Sequence, residues 1–156
     1  MAKGVSKMKR TVCLVLALLL CCAACAEGKG AFTLRFDDGF SLSLPEGWVS
    51  YPPSEGVRYA LGDGSGARYL YILAGPSEYE DFDALQAAIS GRERCQSTSA
   101  LDLNGQRFAA FIAGDLNASG CATLMNGEQI TFLFTPQDDP EYMLAVAEIM
   151  ASFRLE

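Results

Sequence analysis

The sequence contains no histidine among its 156 residues, and this absence excludes a large share of enzyme chemistry. Histidine is the usual general base beside serine and cysteine nucleophiles, and it is a frequent ligand of catalytic zinc. Carboxylates, thiols and hydroxyls are the reactive side chains that remain. A hydrolase or another enzyme that uses a carboxylate pair assembled by the fold is therefore the catalytic alternative that the composition leaves open.

Basic residues are scarce beyond the N-terminal segment, which excludes another class of function. All 19 acidic residues lie at or after Glu27, but only eight of the 12 lysines and arginines do, so residues 27–156 carry a formal charge of −11. Nucleic-acid binding requires clustered basic side chains, and Lys29 is the only lysine in this part of the chain. The sequence therefore predicts no nucleic-acid partner, and membrane contact only through a lipid anchor.

The first 26 residues have the pattern of a secretion signal. Four basic residues precede residue 11, an apolar or small-residue run of 15 residues extends from Val12 to Ala26, and polar residues follow. The run is shorter than the roughly 20 residues that cross a bilayer. We therefore expect a removed signal at 1–26, a short linker at 27–30 and one extracytoplasmic domain at 31–156.

Two processing routes fit the end of this run. Ala24-Cys25-Ala26 is a small-x-small site for cleavage before Glu27, which would release a secreted protein. Cys22-Ala23-Ala24-Cys25 instead resembles a bacterial lipobox, in which Cys25 would be the lipid attachment site of a membrane-anchored lipoprotein. Both routes place the domain outside the cytoplasm.

Alternating apolar residues predict hairpins in both halves of the domain. Residues 32–36 and 40–44 flank Asp37-Asp38-Gly39, and a three-residue loop there pairs Phe36 with Phe40 and Leu34 with Leu42. Strands at 57–61 and 67–74 flank a glycine-rich tip. The dipeptides Asn104-Gly105 and Asn126-Gly127 predict two-residue turns. These turns pair Leu101 with Phe108, Ser97 with Ile112, Cys121 with Phe132, and Thr123 with Ile130.

Two helices complete the pattern. The first begins at a Ser77–Glu80 capping box or at the rival cap Asp81 and ends at Gly91. The second begins at Asp139-Pro140 and runs to the end of the chain. Its apolar stripe comprises Met143, Val146, Ile149, Met150 and Phe153. About eight antiparallel strands, one helix after the fourth and a second at the C-terminus predict an α+β fold, an antiparallel meander with two packed helices.

Two segments carry a family resemblance. Residues 38–48, a strand that ends in Pro45-Glu46-Gly47-Trp48, resemble the opening of PsbP-like domains, a family that includes bacterial envelope PsbP-like and DcrB-like proteins. Residues 148–154 are similar to the family's C-terminal Ile-x-x-Ser-Phe pattern. The resemblance implies a PsbP-like sandwich and a non-catalytic module that binds or assists other envelope components. Histidine-containing metal sites of the family cannot be carried over to this chain.

Aromatic side chains are the candidate binding residues. Trp48, Tyr51 and Tyr59 lie near a Pro-Pro segment and are predicted to line a groove for a protein, peptide or glycan. Tyr69 and Tyr71 share one face of a strand that we interpret as central, and core packing explains them. The favoured interpretation is a non-catalytic extracytoplasmic binding or accessory module.

The acidic clusters have simpler explanations than catalysis or metal binding. Asp37-Asp38 fits a turn, and Asp138, Asp139 and Glu141 fit helix capping and the helix dipole. We therefore predict no metal site and no cofactor.

Cys95 and Cys121 are the cysteines that remain under either processing route. Export permits a disulfide between them. The predicted register places Cys95 opposite Gly114 and Cys121 near Ile112, about 9.6 Å apart across two strand spacings, which exceeds the reach of a disulfide. We expect two free thiols, with Cys121 buried beside Phe132 and Cys95 near the sheet margin.

Overall fold

The computed structural model describes residues 31–156. The expected signal at 1–26, the candidate lipid attachment site Cys25 and the linker 27–30 lie outside the described residues. Within residues 31–156, no helix combines the length and apolar character that crossing a membrane requires.

The described chain forms ten strands, two α-helices and one short 3₁₀ turn, and the α+β prediction is confirmed. The elements are β1 Phe32–Phe36, β2 Phe40–Leu44, β3 Val49–Tyr51, β4 Tyr59–Gly62, β5 Tyr69–Pro76, α1 Phe82–Ser90, β6 Cys95–Leu103, β7 Gln106–Ala113, a 3₁₀ turn Gly114–Leu116, β8 Ala118–Met125, β9 Glu128–Thr135, α2 Pro140–Ala151 and β10 Arg154–Leu155.

The strands form two antiparallel sheets. A small sheet has the order β1-β2-β10, and a seven-stranded sheet has the order β3-β4-β5-β9-β8-β7-β6. The last long strand, β9, inserts between β5 and β8, so it joins the early hairpin to the late ones. This arrangement leaves β3 and β6 as the outer strands of the large sheet.

The pairings predicted next to the three turns are confirmed, and the one register of these hairpins that differs lies at the far end of β6, at Cys95. Phe36 pairs with Phe40 and Leu34 with Leu42, and Gly39 has the positive φ of 87° that the three-residue loop requires. The pairings that follow the two Asn-Gly turns also agree with the prediction. Turn residues that tolerate positive φ thus fix the register locally, before any tertiary contact is considered.

Several boundaries differ from the prediction. The sequence pattern does not predict the short strand β3, because the prolines that follow Tyr51 argue against a central strand. β3 is an outer strand of the large sheet, and outer strands tolerate neighbouring prolines. This extra strand makes α1 follow the fifth strand rather than the fourth. Asp81 is the cap of α1, whereas the Ser77 hydroxyl accepts a bond from the Tyr79 backbone N–H. The chain ends on β10, which pairs with β2, and not on a helix.

The two faces of the large sheet carry different cores. On one face, α2 and the small sheet cover a cluster of four aromatic rings with centroids 5.0 to 6.3 Å apart, namely Phe40, Phe108, Phe132 and Phe153. On the other face, α1 covers only part of the sheet, where Leu85 and Ile89 pack on Ala109 and Ala122. One face is therefore covered by a helix and a second sheet, and the other is partly open.

Candidate functional site

The position of helix α2 defines the main candidate site. The Asp139 carboxylate caps the helix by accepting a bond from the Tyr142 backbone N–H at 3.0 Å. The buried Tyr142 hydroxyl donates to the backbone carbonyl of Tyr69 at 2.6 Å, which ties the first turn of the helix to β5. Burial raises the pKa of the Tyr142 hydroxyl, so it remains a donor at physiological pH. The N-terminal end of α2 is thereby fixed over the sheet.

The Arg68 side chain makes a second set of contacts with the N-terminal end of α2. Its guanidinium forms ion pairs with Asp139 at 2.8 Å and with Glu141 at 3.3 Å. The Tyr142 backbone N–H, followed by Arg68, lowers the pKa of Asp139, and the Asp139 carboxylate in turn raises the pKa of Arg68. Asp139 therefore caps α2, as predicted, and also binds Arg68, while Glu141 binds Arg68 and Asp138 accepts a bond from the Asn117 side chain.

A cleft of about 230 Å³ opens between α2 and the outer strands β6, β7 and β8. Helix α2 contributes one wall, with Met143, Val146, Ala147 and Met150. The other wall is the sheet, where the rows Ser97–Ile112–Ser119 and Ser99–Ala110–Cys121 run across three strands, and Leu101 and Leu103 continue along β6. The cleft therefore lies between one side of α2 and the outer strands of the sheet.

The walls of this cleft are apolar, with a few neutral polar groups. Serine hydroxyls and the Gln137 side chain are the polar groups, and no carboxylate, guanidinium or ammonium group of residues 31–156 lines the cleft. The one ionisable lining group is the Cys121 thiol, whose pKa is raised by burial, so it stays protonated and unreactive near neutral pH. Such a lining can hold an apolar group by excluding water, but it offers no general base and no activated nucleophile.

The predicted groove residues Trp48, Tyr51 and Tyr59 lie in different surroundings. Trp48 is buried in the core and stacks on Tyr142 with ring centroids 6.4 Å apart. Tyr59 contacts Phe36 edge-on at 4.9 Å, and burial raises the pKa of its hydroxyl. Tyr51 alone faces the partly open side of the sheet. The structure therefore places each of the three rings against a different partner.

The partly open face carries an aromatic row that the sequence analysis assigned to core packing. Tyr51 contacts Tyr69 at 5.6 Å, and Tyr69 stacks on Tyr71 at 5.8 Å, and all three side chains are half-buried. Gly62 lies beneath the first two rings, where a side chain would collide with the Tyr51 ring. The Tyr51 and Tyr69 rings therefore cover the backbone at Gly62, and the outer faces of the rings remain accessible.

A second group of carboxylates is held by Arg58. Arg58 bonds the largely buried Asp38 and also Glu128 at 3.1 Å, and the Glu128 bond contributes most to raising the pKa of Arg58. Asp38 is thus more than a turn residue, because it ties the first hairpin to the large sheet. Within residues 31–156, no group of three or more cysteine, aspartate or glutamate side chains is placed to hold a metal ion.

Both cysteines of the domain are free thiols, in agreement with the prediction, but their registers differ from it. A bulge at Gln96 moves Cys95 opposite Ala113 rather than Gly114. The connection between β7 and β8 is shorter than assumed, so Cys121 lies opposite Ala110 and not Ile112. Cys121 is buried beside Phe132 and Cys95 lies on the outer strand β6, as expected.

Comparison with solved structures identifies the fold. The chain is similar to the solution structure of cyanobacterial PsbP (CyanoP) from Synechocystis sp. PCC 6803, with a TM-score of 0.59 and 17% identity over 85% of this chain and 98% of that one. It is also similar to a crystal structure from Bacteroides thetaiotaomicron VPI-5482, with a TM-score of 0.51 and 14% identity. This chain spans about half of that protein, 49%, and 82% of this chain is covered.

No protein-family model and no curated protein matches the sequence. At these identities the structural likeness establishes the PsbP-like fold and leaves the ligand to be argued from the site.

Proposed function

We propose that this protein is a non-catalytic binding or accessory module of the bacterial envelope, and that it holds an apolar group of its ligand in the cleft between α2 and β6–β8. The observation that carries the proposal is an open, apolar cleft to whose lining the described part of the chain contributes no charged group. The PsbP-like fold supports a module of this kind, and the pattern of residues 1–26 supports its location outside the cytoplasm.

The enzyme alternative requires two carboxylates that converge on a common space. Where carboxylates come together in the described domain, at Arg58 and at Arg68, they form ion pairs with the guanidinium group. Neither cluster borders the cleft, because none of these residues lines it. These contacts support binding over carboxylate catalysis as the function.

The cleft is tested by filling it. Ala147 lines the cleft on α2, so Ala147→Trp should occupy it, whereas Leu144 lies on the same helix outside the lining and is 56% exposed. We expect the neutral solvatochromic dye Nile red to bind the wild-type domain, and Ala147→Trp to weaken this binding by about tenfold, the equivalent of 1.4 kcal/mol. Fluorescence titration measures both.

Leu144→Gln is the matched control, and it should bind the dye as the wild type does. Unchanged dye binding by Ala147→Trp, in a variant whose thermal unfolding remains cooperative, would remove the cleft as the site. A loss of binding only in Leu144→Gln would assign the dye to the exposed outer face of the helix.

A second surface is favoured by one specific observation. Binding at the aromatic residues Trp48, Tyr51 and Tyr59 stays a prediction, and Tyr51 is the member that joins an accessible row with Tyr69 and Tyr71. Stacked tyrosine faces suit a glycan or a proline-rich peptide. Titration with soluble peptidoglycan fragments should shift the ring signals of Tyr51 and Tyr71 in NMR spectra, and an absence of shifts would remove this surface for glycans.

A further inference from the structure

We infer that the ligand of the cleft is an extended, basic peptide segment of a partner protein, which adds to the free edge of β6 as an additional strand. This inference rests on the proposed function of the cleft and goes beyond it, because it specifies how the ligand is held and what its chemistry is. Four observations carry it: an unpaired edge, its outward backbone groups, the apolar cleft beside it and the charge of the domain.

The edge is long and carries few of the features that normally prevent strand pairing. β6 spans nine residues at the end of the seven-stranded sheet, and within residues 31–156 it pairs on one side only, with β7. Outer strands are usually protected by proline, lysine, short length or a bulge. β6 contains no proline and no lysine, its bulge lies near its beginning at Gln96, and Asp102 is its one charged residue. From Ser97 to Leu103 it is a regular strand that can accept a partner.

The turn fixes which backbone groups point outward. Leu103 and Gln106 flank the two-residue Asn104-Gly105 turn and therefore form a hydrogen-bonded pair. In an antiparallel hairpin the hydrogen-bonded and non-hydrogen-bonded pairs alternate. The N–H and C=O groups of Thr98, Ala100 and Asp102 consequently face away from β7. These three residues present six backbone groups to an added strand.

The cleft lies on the same margin of the sheet. The residues of β6 that alternate with the outward-bonding ones line it, namely Ser97, Ser99, Leu101 and Leu103. A strand paired with β6 would place every second side chain on this face, at the mouth of the cleft and beside α2. An apolar side chain at those alternate positions would bury against Leu101, Val146 and Ala147. Edge and cleft thus form one site, with backbone bonds for affinity and the cleft for specificity.

The charge of the domain selects the sign of the partner. Residues 31–156 contain seven arginines, no lysine and 18 carboxylates. Five of the arginines already form salt bridges, namely Arg35, Arg58, Arg68, Arg94 and Arg107. Asp102 lies on this edge itself, and its carboxylate accepts a bond from the Gly105 backbone N–H and forms no salt bridge with an arginine of residues 31–156. A peptide with lysine at its ends therefore complements the domain, and an acidic peptide is repelled.

The test uses a synthetic peptide of alternating valine and threonine with a lysine at each end. We expect it to bind the domain and to slow amide hydrogen exchange at Thr98, Ala100 and Asp102. Ala100→Pro removes the central outward N–H without removing a bond to β7, and proline is tolerated at such edge positions. This variant should bind the peptide at least about tenfold more weakly, as loss of a hydrogen bond plus a steric clash predicts. Ala100→Thr keeps the N–H and is the matched control.

Three outcomes would overturn the inference. The first is equal peptide binding by Ala100→Pro and Ala100→Thr. The second is equal binding of a control peptide that has the same composition but consecutive valines. The third is concentration-dependent pairing of two β6 edges in sedimentation experiments. If Ala100→Pro fails to fold, Thr98→Pro makes the same comparison at the next outward position. Nile red binding separates the two proposals, because a cleft that still binds the dye while the peptide fails leaves the proposed function intact and removes strand addition.

Discussion

At the scale of single residues, Asp139 shows how one side chain serves several contacts. It caps α2, accepts a bond from Tyr142 N–H and pairs with Arg68, which together hold its pKa below the usual value. A carboxylate whose folded pKa is lowered stabilises the folded state at pH values above its unfolded pKa, and this contribution is lost as the pH falls through the folded pKa. The contribution of Asp139 to the free energy of unfolding should therefore depend on pH.

We expect Asp139→Asn to unfold at a lower urea concentration than the wild type at pH 7, although asparagine still caps the helix, because Arg68 loses its ion pair at 2.8 Å and keeps only the longer ones with Glu141 and Asp63. The difference should shrink as the pH falls below about 4, where the wild-type carboxyl also becomes neutral. Urea unfolding across this pH range measures it. Glu148→Gln, an exposed change on the same helix, should show no such dependence, and a difference between Asp139→Asn and the wild type that is constant with pH would contradict the linkage.

The two thiols should differ in reactivity. Cys95 is half-buried, with its sulfur 3.3 Å from the Ser97 carbonyl, whereas Cys121 is 4% exposed and burial raises the pKa of its thiol. Iodoacetamide should therefore modify Cys95 in the folded protein, and both residues only after unfolding without reductant. Peptide mapping reads this out, with Cys95→Ser as the control. A linked Cys95–Cys121 peptide would mean that β6 leaves the ladder near its beginning.

At the scale of elements, the C-terminal segment is the main support of the larger core. Helix α2 buries Tyr142, Ile149 and Met150, and Phe153 follows the helix with no exposed surface. Each such group contributes about 1.5 to 3 kcal/mol when buried, against a typical stability of 5 to 15 kcal/mol. A domain truncated at Pro140 should therefore fail to fold. Cooperative melting of this truncation near the full-length temperature would show that the helix is peripheral.

A single substitution tests the same core with less disruption. Phe153 contacts Phe108 at 5.0 Å and Phe40 at 5.6 Å, so Phe153→Ala should lower the free energy of unfolding by about 3 to 5 kcal/mol. Leu155 lies two residues further along the chain and is 52% exposed, so Leu155→Ala should change the free energy of unfolding by less than about 0.5 kcal/mol. Chemical denaturation of both variants gives the comparison. Equal effects would mean that β10 and not the aromatic cluster carries this end of the chain.

At the scale of the whole molecule, the processing of the N-terminal segment can be tested independently of the domain. The basic residues, the apolar run and the small residues around Cys25 predict that the native protein lacks residues 1–24. Intact-mass spectrometry of protein from its own host should find either Glu27 or a diacylated Cys25 at the N-terminus. The two masses distinguish release from anchoring, and an intact Met1 in the mature pool would contradict both.

Local chemistry in the sequence determined the registers, the second helix cap and the fold class of this protein. Gly39, Asn104-Gly105 and Asn126-Gly127 restrict backbone angles at single positions, so the pairings of their flanking strands follow without knowledge of the rest of the chain. Asp139-Pro140 sets the start of α2 in the same way. These features depend on residues within a few positions of one another.

Only the tertiary structure decided where the helices lie on the sheet, and with them the candidate site. The insertion of β9 between β5 and β8 brings Arg68 to Asp139 and leaves β6 at the free edge, and no local pattern encodes such long-range contacts. Trp48 is an aromatic residue of the kind that often binds ligands, but it packs on Tyr142. The Tyr71 side chain, in contrast, remains partly accessible. The cleft depends on how far α2 extends over β6–β8, which side-chain packing between distant segments determines.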